Sequence, residues 1–195
     1  SPGVYALESL IDENGNYLSD EDGELRIAYI GGSITAGDSD FEGTGLAEDS
    51  IWVNRVSNYF AEQFPNKTIK TYNAGLGGTN SNYGSVRFQD HVLDYIPDIV
   101  FMEFTVNDSS STISESYQQT YIERMIRMCQ KAQKVPVFVY VHVQKPIDEA
   151  SSGYEDYMKC IEYKNELTEY YGIKTINLYE ALKADFEASG ATDFM

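Results

Sequence analysis

The stretch Ile27-Ala28-Tyr29-Ile30-Gly31-Gly32-Ser33-Ile34-Thr35-Ala36-Gly37 decides how the chain is read. A short apolar run closed by two glycines has the pattern of a buried strand stopping at a sheet edge. In open α/β sheets, ligands bind at that edge, beyond the carboxyl ends of the strands. A serine stands at the turn, and another glycine follows four residues on. Two readings fit these residues: Ser33 is a nucleophile, or this is an ordinary strand-to-helix turn that contains a serine.

Upstream, residues 5–24 are polar and turn-rich, with Asp12-Glu13-Asn14-Gly15-Asn16 and Asp20-Glu21-Asp22-Gly23. Their acidic spacing does not make a calcium loop, because the glycine is misplaced and no glutamate closes a twelve-residue loop. Residues 1–24 are expected to form an arm or short hairpin, and 25–195 a single domain. Strand one is expected over Leu25 to Ile30.

Downstream, Trp52, Val53, Val56, Phe60 and Phe64 recur at helical spacing before Pro65-Asn66. Strand two is expected over Ile69 to Ala74, a glycine-rich loop over Gly75 to Gly84, and a helix from Ser85 to Leu93. Strand three is expected over Asp98 to Phe104, followed by the hydroxyl-rich loop 109–114. Tyr121, Ile122, Met125, Ile126, Met128 and Cys129 mark an amphipathic helix, and the β-branched run Val135 to Val143 marks strand four. A helix through Tyr154, Met158, Ile161 and Leu167 leads to strand five, Ile173 to Asn177. A last helix carries Leu178, Leu182 and Phe186 and ends at Gly190. Strands alternating with helices predict a parallel α/β sheet with crossovers. The strands lack polar alternation, as strands buried on both faces should.

Composition narrows the function. The chain has 195 residues and a net charge of −17, from 31 acidic against 14 basic residues. That excess argues against nucleic acid, whose phosphates need a basic surface, and against an anionic membrane surface. It suits a neutral substrate. No apolar run reaches the roughly eighteen residues of a membrane-spanning helix. Cys129 and Cys160 each fall on the apolar stripe of a helix, which predicts buried free thiols. Two separated histidines and two separated cysteines make no metal constellation, and no cofactor is expected. Most of the 16 tyrosines are expected at the core margin. The chain opens Ser1-Pro2-Gly3, with no signal peptide or initiator Met, and is read as a piece of a longer or processed protein.

Three strand ends carry the chemistry: Gly31-Gly32-Ser33, then Asn73 to Ser81 with Gly75-Leu76-Gly77-Gly78, then Phe104-Thr105-Val106-Asn107-Asp108. In a parallel sheet these ends share one edge. A serine, a glycine amide and an asparagine amide are what acyl transfer requires: a nucleophile, and donors for the tetrahedral oxyanion. Gly75 to Gly78 is also similar to a dinucleotide fingerprint, but Asn80 replaces its third glycine and it follows the second strand. Gly31 to Gly37 lacks the Lys-Ser/Thr of a phosphate loop. A flavodoxin-like nucleotide binder would therefore lack its phosphate contacts.

The three segments, in this order and spacing, resemble the SGNH (GDSL-type) hydrolase superfamily across nearly the whole chain. Gly31-Gly32-Ser33 is similar to its Gly-Asp-Ser motif. Gly78 aligns with its motif glycine. Thr105-Val106-Asn107-Asp108 is similar to its Gly-x-Asn-Asp, with threonine for glycine. The resemblance implies a flavodoxin-like three-layer α/β/α sandwich whose five-stranded parallel sheet has the order 2-1-3-4-5. It implies Ser33 as nucleophile and N–H donor, with Gly78 and Asn107 completing the oxyanion hole. The Gly-Gly-Ser variant resembles carbohydrate-esterase-like branches. That points to a serine esterase acting on a small acyl, first of all acetyl, ester or an O-acetylated polysaccharide, in an extracellular or cell-surface setting. The alternative is a non-catalytic carbohydrate-binding or surface module on the same fold.

The family's Asp-x-x-His motif, which supplies the base, does not occur. The sequence ends at Thr192-Asp193-Phe194-Met195, about where that motif should begin. A chain cut before the motif and its closing helix is the first expectation, and a base-less homologue the second. His142, at the end of strand four, is a weak substitute base, with a packed structural role as the alternative. His91 is expected to be solvated or structural. Glu103, inside an apolar strand, is expected to pair with a basic residue such as Arg87. Asp38, Asp40 and Glu42 are expected in a solvated loop, and Asp108 is expected to fix its own loop. Oligomeric state is not readable from the sequence.

Overall fold

A computed structural model describes residues 23–37, 51–141 and 153–189. The elements in chain order are β1 (Glu24–Gly31), α1 (Ser33–Ala36), α2 (Trp52–Gln63), β2 (Thr68–Gly75), α3 (Ser81–His91), β3 (Ile99–Glu103), α4 (Thr105–Ser109), α5 (Glu115–Ala132), β4 (Val135–Tyr140), α6 (Tyr154–Tyr171), β5 (Lys174–Asn177) and α7 (Leu178–Ser189), with a 3₁₀ turn at Leu93–Tyr95. The sheet order is β2-β1-β3-β4-β5, and every pairing is parallel. The expected α/β sandwich and strand order are both present.

Successive residues of a strand point to opposite faces, and here both faces are apolar. On one, Ala28, Ile30, Val100, Met102 and Phe138 meet Phe88 of α3, Ile122 and Ile126 of α5 and Ile161 of α6. On the other, Leu25, Ile27, Tyr29, Phe101, Val137 and Val139 meet Val53, Val56 and Phe60 of α2 and Leu178 of α7. Two buried faces account for the missing polar alternation in β1, β3 and β4, whereas the edge strands β2 and β5 are largely exposed and carry Lys, Thr and Asn.

Two helices begin earlier than periodicity indicates. α3 starts at Ser81, because Asn80 caps it by accepting from the Tyr83 N–H at 3.3 Å. Its buried positions include Ser81, Gly84, Ser85 and Arg87, which leave no apolar stripe to read. α5 starts at Glu115, where three exposed residues precede the first buried one, Gln118. The start of the hydroxyl-rich segment is coiled into α4. Cys129 and Cys160 are buried and free, as expected. No described helix is long and apolar enough to cross a membrane. The N-terminal arm falls outside the described residues, except for Gly23 and Glu24.

Candidate active site

The site is built where β1 stops. Gly31 is its last residue, Gly32 is the extended cap of α1, and Ser33 opens that single-turn helix, half-buried. Close packing dictates glycine on both sides. A Cβ on Gly31 would lie 2.2 Å from Thr35 Oγ1 and 2.4 Å from the Glu103 carbonyl oxygen; one on Gly75 would lie 2.2 Å from the Ala36 nitrogen. The backbone of α1 therefore rests directly on the end of β2. Asn73 fastens it there, with its Nδ2 donating to the Thr35 carbonyl at 2.7 Å and its Oδ1 accepting from the Gly75 N–H at 2.8 Å.

The second segment is stitched to the first through one carbonyl. Gly31 O accepts from the Leu76 N–H at 3.0 Å and from Thr79 Oγ1 at 3.4 Å. Between these anchors the chain makes a tight turn, with Thr79 N–H donating to Leu76 O at 3.3 Å. Gly78 sits in the turn at φ +70°, a left-handed conformation that favours glycine.

The third segment enters from β3. Asn107 lies in α4, and its side chain packs on Gly32: a Cβ there would be 3.1 Å from Asn107 Oδ1 and 3.4 Å from its Nδ2. Asp108 turns the other way, into the protein. Its Oδ1 accepts from the Ser81 N–H at 2.8 Å, and its Oδ2 lies 2.9 Å from Lys164 Nζ, with both side chains buried. Asp108 lies in a helix rather than the expected loop, and its side chain ties α4 to the start of α3 and to Lys164.

Lys164 reaches this point from α6 and is 1% exposed. Burial works against its charge and is the largest single influence, but Asp108, Cys160 and Glu103 together outweigh it, and the ammonium is held above the ordinary lysine value. Sequence reading missed it. The available signal was its place on the stripe Tyr157, Cys160, Ile161, Lys164, Thr168 and Tyr171, all buried at spacings of about three to four.

Glu103 ends β3 at 2% exposure, and its Oε2 accepts from Thr35 Oγ1 at 3.2 Å. Arg87 is not its partner. That guanidinium donates to the Ala74 carbonyl at 2.6 Å and the Gly31 carbonyl at 3.4 Å, because α3 lies under the ends of β1 and β2. The cation acting on Glu103 is Lys164. Burial pushes the Glu103 carboxyl up to about 7, with Lys164 and the Thr35 hydrogen bond opposing. A carboxyl raised in the folded state contributes stability below its ordinary value of 4.5, and that contribution is lost as pH rises through about 7. The loss is about 3 kcal/mol. In urea titrations, Glu103→Gln is therefore expected to gain about that much on the parent between about pH 4.5 and 8. A pH-independent difference would refute the assignment.

Ser33, Gly78 and Asn107 thus lie on three segments that are bonded or packed onto Gly31 and Gly32. Among the described residues, none bonds the Ser33 hydroxyl, and no group of three or more His, Cys, Asp or Glu could hold a metal ion. His91 is exposed in the last turn of α3, the end away from Ser81. His142, Asp38, Asp40, Glu42 and Asp193 lie outside the described residues.

Comparison with known proteins adds the following. Residues 29–193 match the model of the GDSL-like lipase/acylhydrolase family. A search among curated proteins finds no sequence match. Similar solved structures include a two-domain esterase active on acetylated mannans, at 22% identity and TM-score 0.64, covering 87% of this chain and 41% of that one. The chain thus spans less than half the length of that esterase. An acetyl xylan esterase superposes at 18% identity and TM-score 0.70, covering 85% and 83%. A catalytic mutant of an acetylxylan esterase from Geobacillus stearothermophilus does so at 14% identity and TM-score 0.64, covering 78% and 76%. At these identities the superpositions establish the fold.

Proposed function

Because the chain belongs to the GDSL-like lipase/acylhydrolase family, we propose that it is a serine esterase that removes small acyl groups, acetyl first, from carbohydrate. The observation that carries this reading is the convergence on one sheet edge. Gly31 O holds both ends of the Gly78 turn, and the Asn107 side chain packs on the residue before Ser33.

In this mechanism Ser33 Oγ attacks the ester carbonyl carbon and gives its proton to a base. The oxyanion takes hydrogen bonds from the Ser33 and Gly78 N–H groups and from Asn107 Nδ2. Each such donor supports about a hundred- to a thousandfold in rate. Collapse breaks the bond to the alcohol oxygen, which leaves with the proton. Water then attacks the acyl-enzyme, frees Ser33 and releases the acid. Glu103 is not the base, because it lies beneath α1 and is bonded to Thr35. His142, two residues beyond the end of β4 in sequence, is the histidine to test first.

The carbohydrate assignment is supported by the named activities of the structural relatives, on acetylated mannans and acetyl xylan. The net charge of −17 favours a neutral ester over an anionic one. A polysaccharide substrate would place the enzyme outside the cell or at its surface. The test is acetate release from acetylated mannan and acetylated xylan, alongside p-nitrophenyl acetate and butyrate. Release from a polysaccharide, with acetate preferred over butyrate, is the expected result. Saturable glycan binding without cleavage of any ester would instead identify a binding module.

A further inference from the structure

We infer that Glu103 is a positioning residue for Ser33, acting through its hydrogen bond to Thr35 to hold the one-turn helix that carries the serine. This rests on the assignment of Ser33 as nucleophile.

A helix of four residues has no stability of its own, since forming the first turn fixes several dihedrals for a single hydrogen bond. The place of α1 is therefore set by what it touches. Among the described residues, Ile34 packs against the core around Phe101, and Thr35 makes two polar attachments. Its carbonyl accepts from Asn73, its side chain donates to Glu103, and the Ala36 backbone lies against Gly75. Asn73 and Gly75 tie the helix to β2. Among the hydrogen bonds of the described residues, the one from Thr35 to Glu103 ties it to β3, the strand that continues into α4 and Asn107. Thr35 is fully buried, while Ser33, two residues earlier in the same turn, is half-exposed at the sheet edge. The hydroxyl that reacts and the hydroxyl that anchors leave opposite sides of one turn.

Glu103 is a costly anchor. Its Oε1 is buried without a hydrogen-bond partner among the described residues, and a buried acceptor left so is destabilising. An apolar side chain at this position would avoid that cost but could not accept from Thr35. The carboxylate supplies direction: it fixes the distance between the serine's turn and the strand leading to Asn107. Nucleophilic attack is sensitive to this distance, since a misplacement of about 1 Å can cost a hundredfold.

The experiment compares Thr35→Val, Thr35→Ser and Glu103→Leu with the parent, measuring kcat and KM on p-nitrophenyl acetate, thermal unfolding, and labelling by a fluorophosphonate probe that bonds the serine oxygen to phosphorus as fluoride leaves. Thr35→Val keeps the shape and removes the donor. Its kcat is expected to fall about ten- to a hundredfold with KM within about twofold, in step with slower labelling. Thr35→Ser, which restores the donor, should return kcat to within about threefold of the parent. If Thr35→Val does not fold, Glu103→Leu, which removes the acceptor together with its buried charge, carries the same expectation. A folded Thr35→Val with parental kcat and labelling rate overturns the inference, as does a Thr35→Ser enzyme no better than Thr35→Val. Unchanged labelling in Ser33→Ala would instead remove the nucleophile assignment itself, so the two failures are distinguishable.

Discussion

Replacing Ser33 with alanine is expected to lower kcat on p-nitrophenyl acetate by at least about a thousandfold, and by up to about a millionfold if nucleophile and base act as one unit. What remains is the contribution of the oxyanion donors and of binding. Stability is expected to stay within about 0.5 kcal/mol of the parent. Ser33 is half-buried at the edge, and none of the described residues bonds its hydroxyl, so the substitution strands no buried partner among them. The two readouts belong together. Lost activity with an unchanged melting curve identifies a reacting group. Lost activity with a lowered melting temperature would show only that the turn was disturbed. Parental activity in Ser33→Ala would end the serine-esterase reading. Measuring His142→Ala beside it asks a separate question, since only the base would match the loss at Ser33 while leaving the oxyanion donors untouched.

The sheet was legible because its signal is redundant. The runs of β1, β3 and β4 are apolar and read as buried strands, the more polar and largely exposed edge strands β2 and β5 follow from the alternation with helices, and the ends at Gly31, Gly75 and Glu103 fall within one residue of expectation. The segments that meet at the site were legible for a related reason: only glycine survives where one backbone lies on another, as at Gly31 against Thr35 and Gly75 against Ala36. The layer beneath was not. Glu103 stood out as a charge within an apolar strand, but nothing in the sequence says which cation reaches it. Arg87 and Lys164 both lie on buried stripes of helices. Only the packing sends one to the carbonyls of Ala74 and Gly31 and the other to Asp108. Thr35 gave no signal, because a threonine in a turn is ordinarily solvated.

That buried ion pair makes the second large effect. Lys164→Met is expected to cost about 3 to 5 kcal/mol, the range for breaking a buried pair by removing one partner. Methionine fills much the same volume, so the loss is electrostatic. It leaves Asp108 and Glu103 without the cation that acts on both. The Glu103 carboxyl, already raised by burial, then prefers its proton more than in the parent, so the variant loses stability as pH rises, and the cost is smaller at about pH 5 than at about pH 8. Adding Asp108→Asn removes one stranded charge and keeps an oxygen for the Ser81 N–H. The double variant is therefore expected to recover most of the loss, as replacing a whole buried pair usually does. Urea midpoints for the parent, both single variants and the double variant at the two pH values complete the cycle. A cost that is independent of pH and unrelieved by Asp108→Asn would mean that Lys164 acts through its methylene stem, by packing. The pair would then say nothing about how α4, with Asn107 on it, is held against the start of α3. A coupled, pH-dependent cost would mean that the charge on α6 fixes the asparagine's helix from below, as Glu103 fixes the serine's.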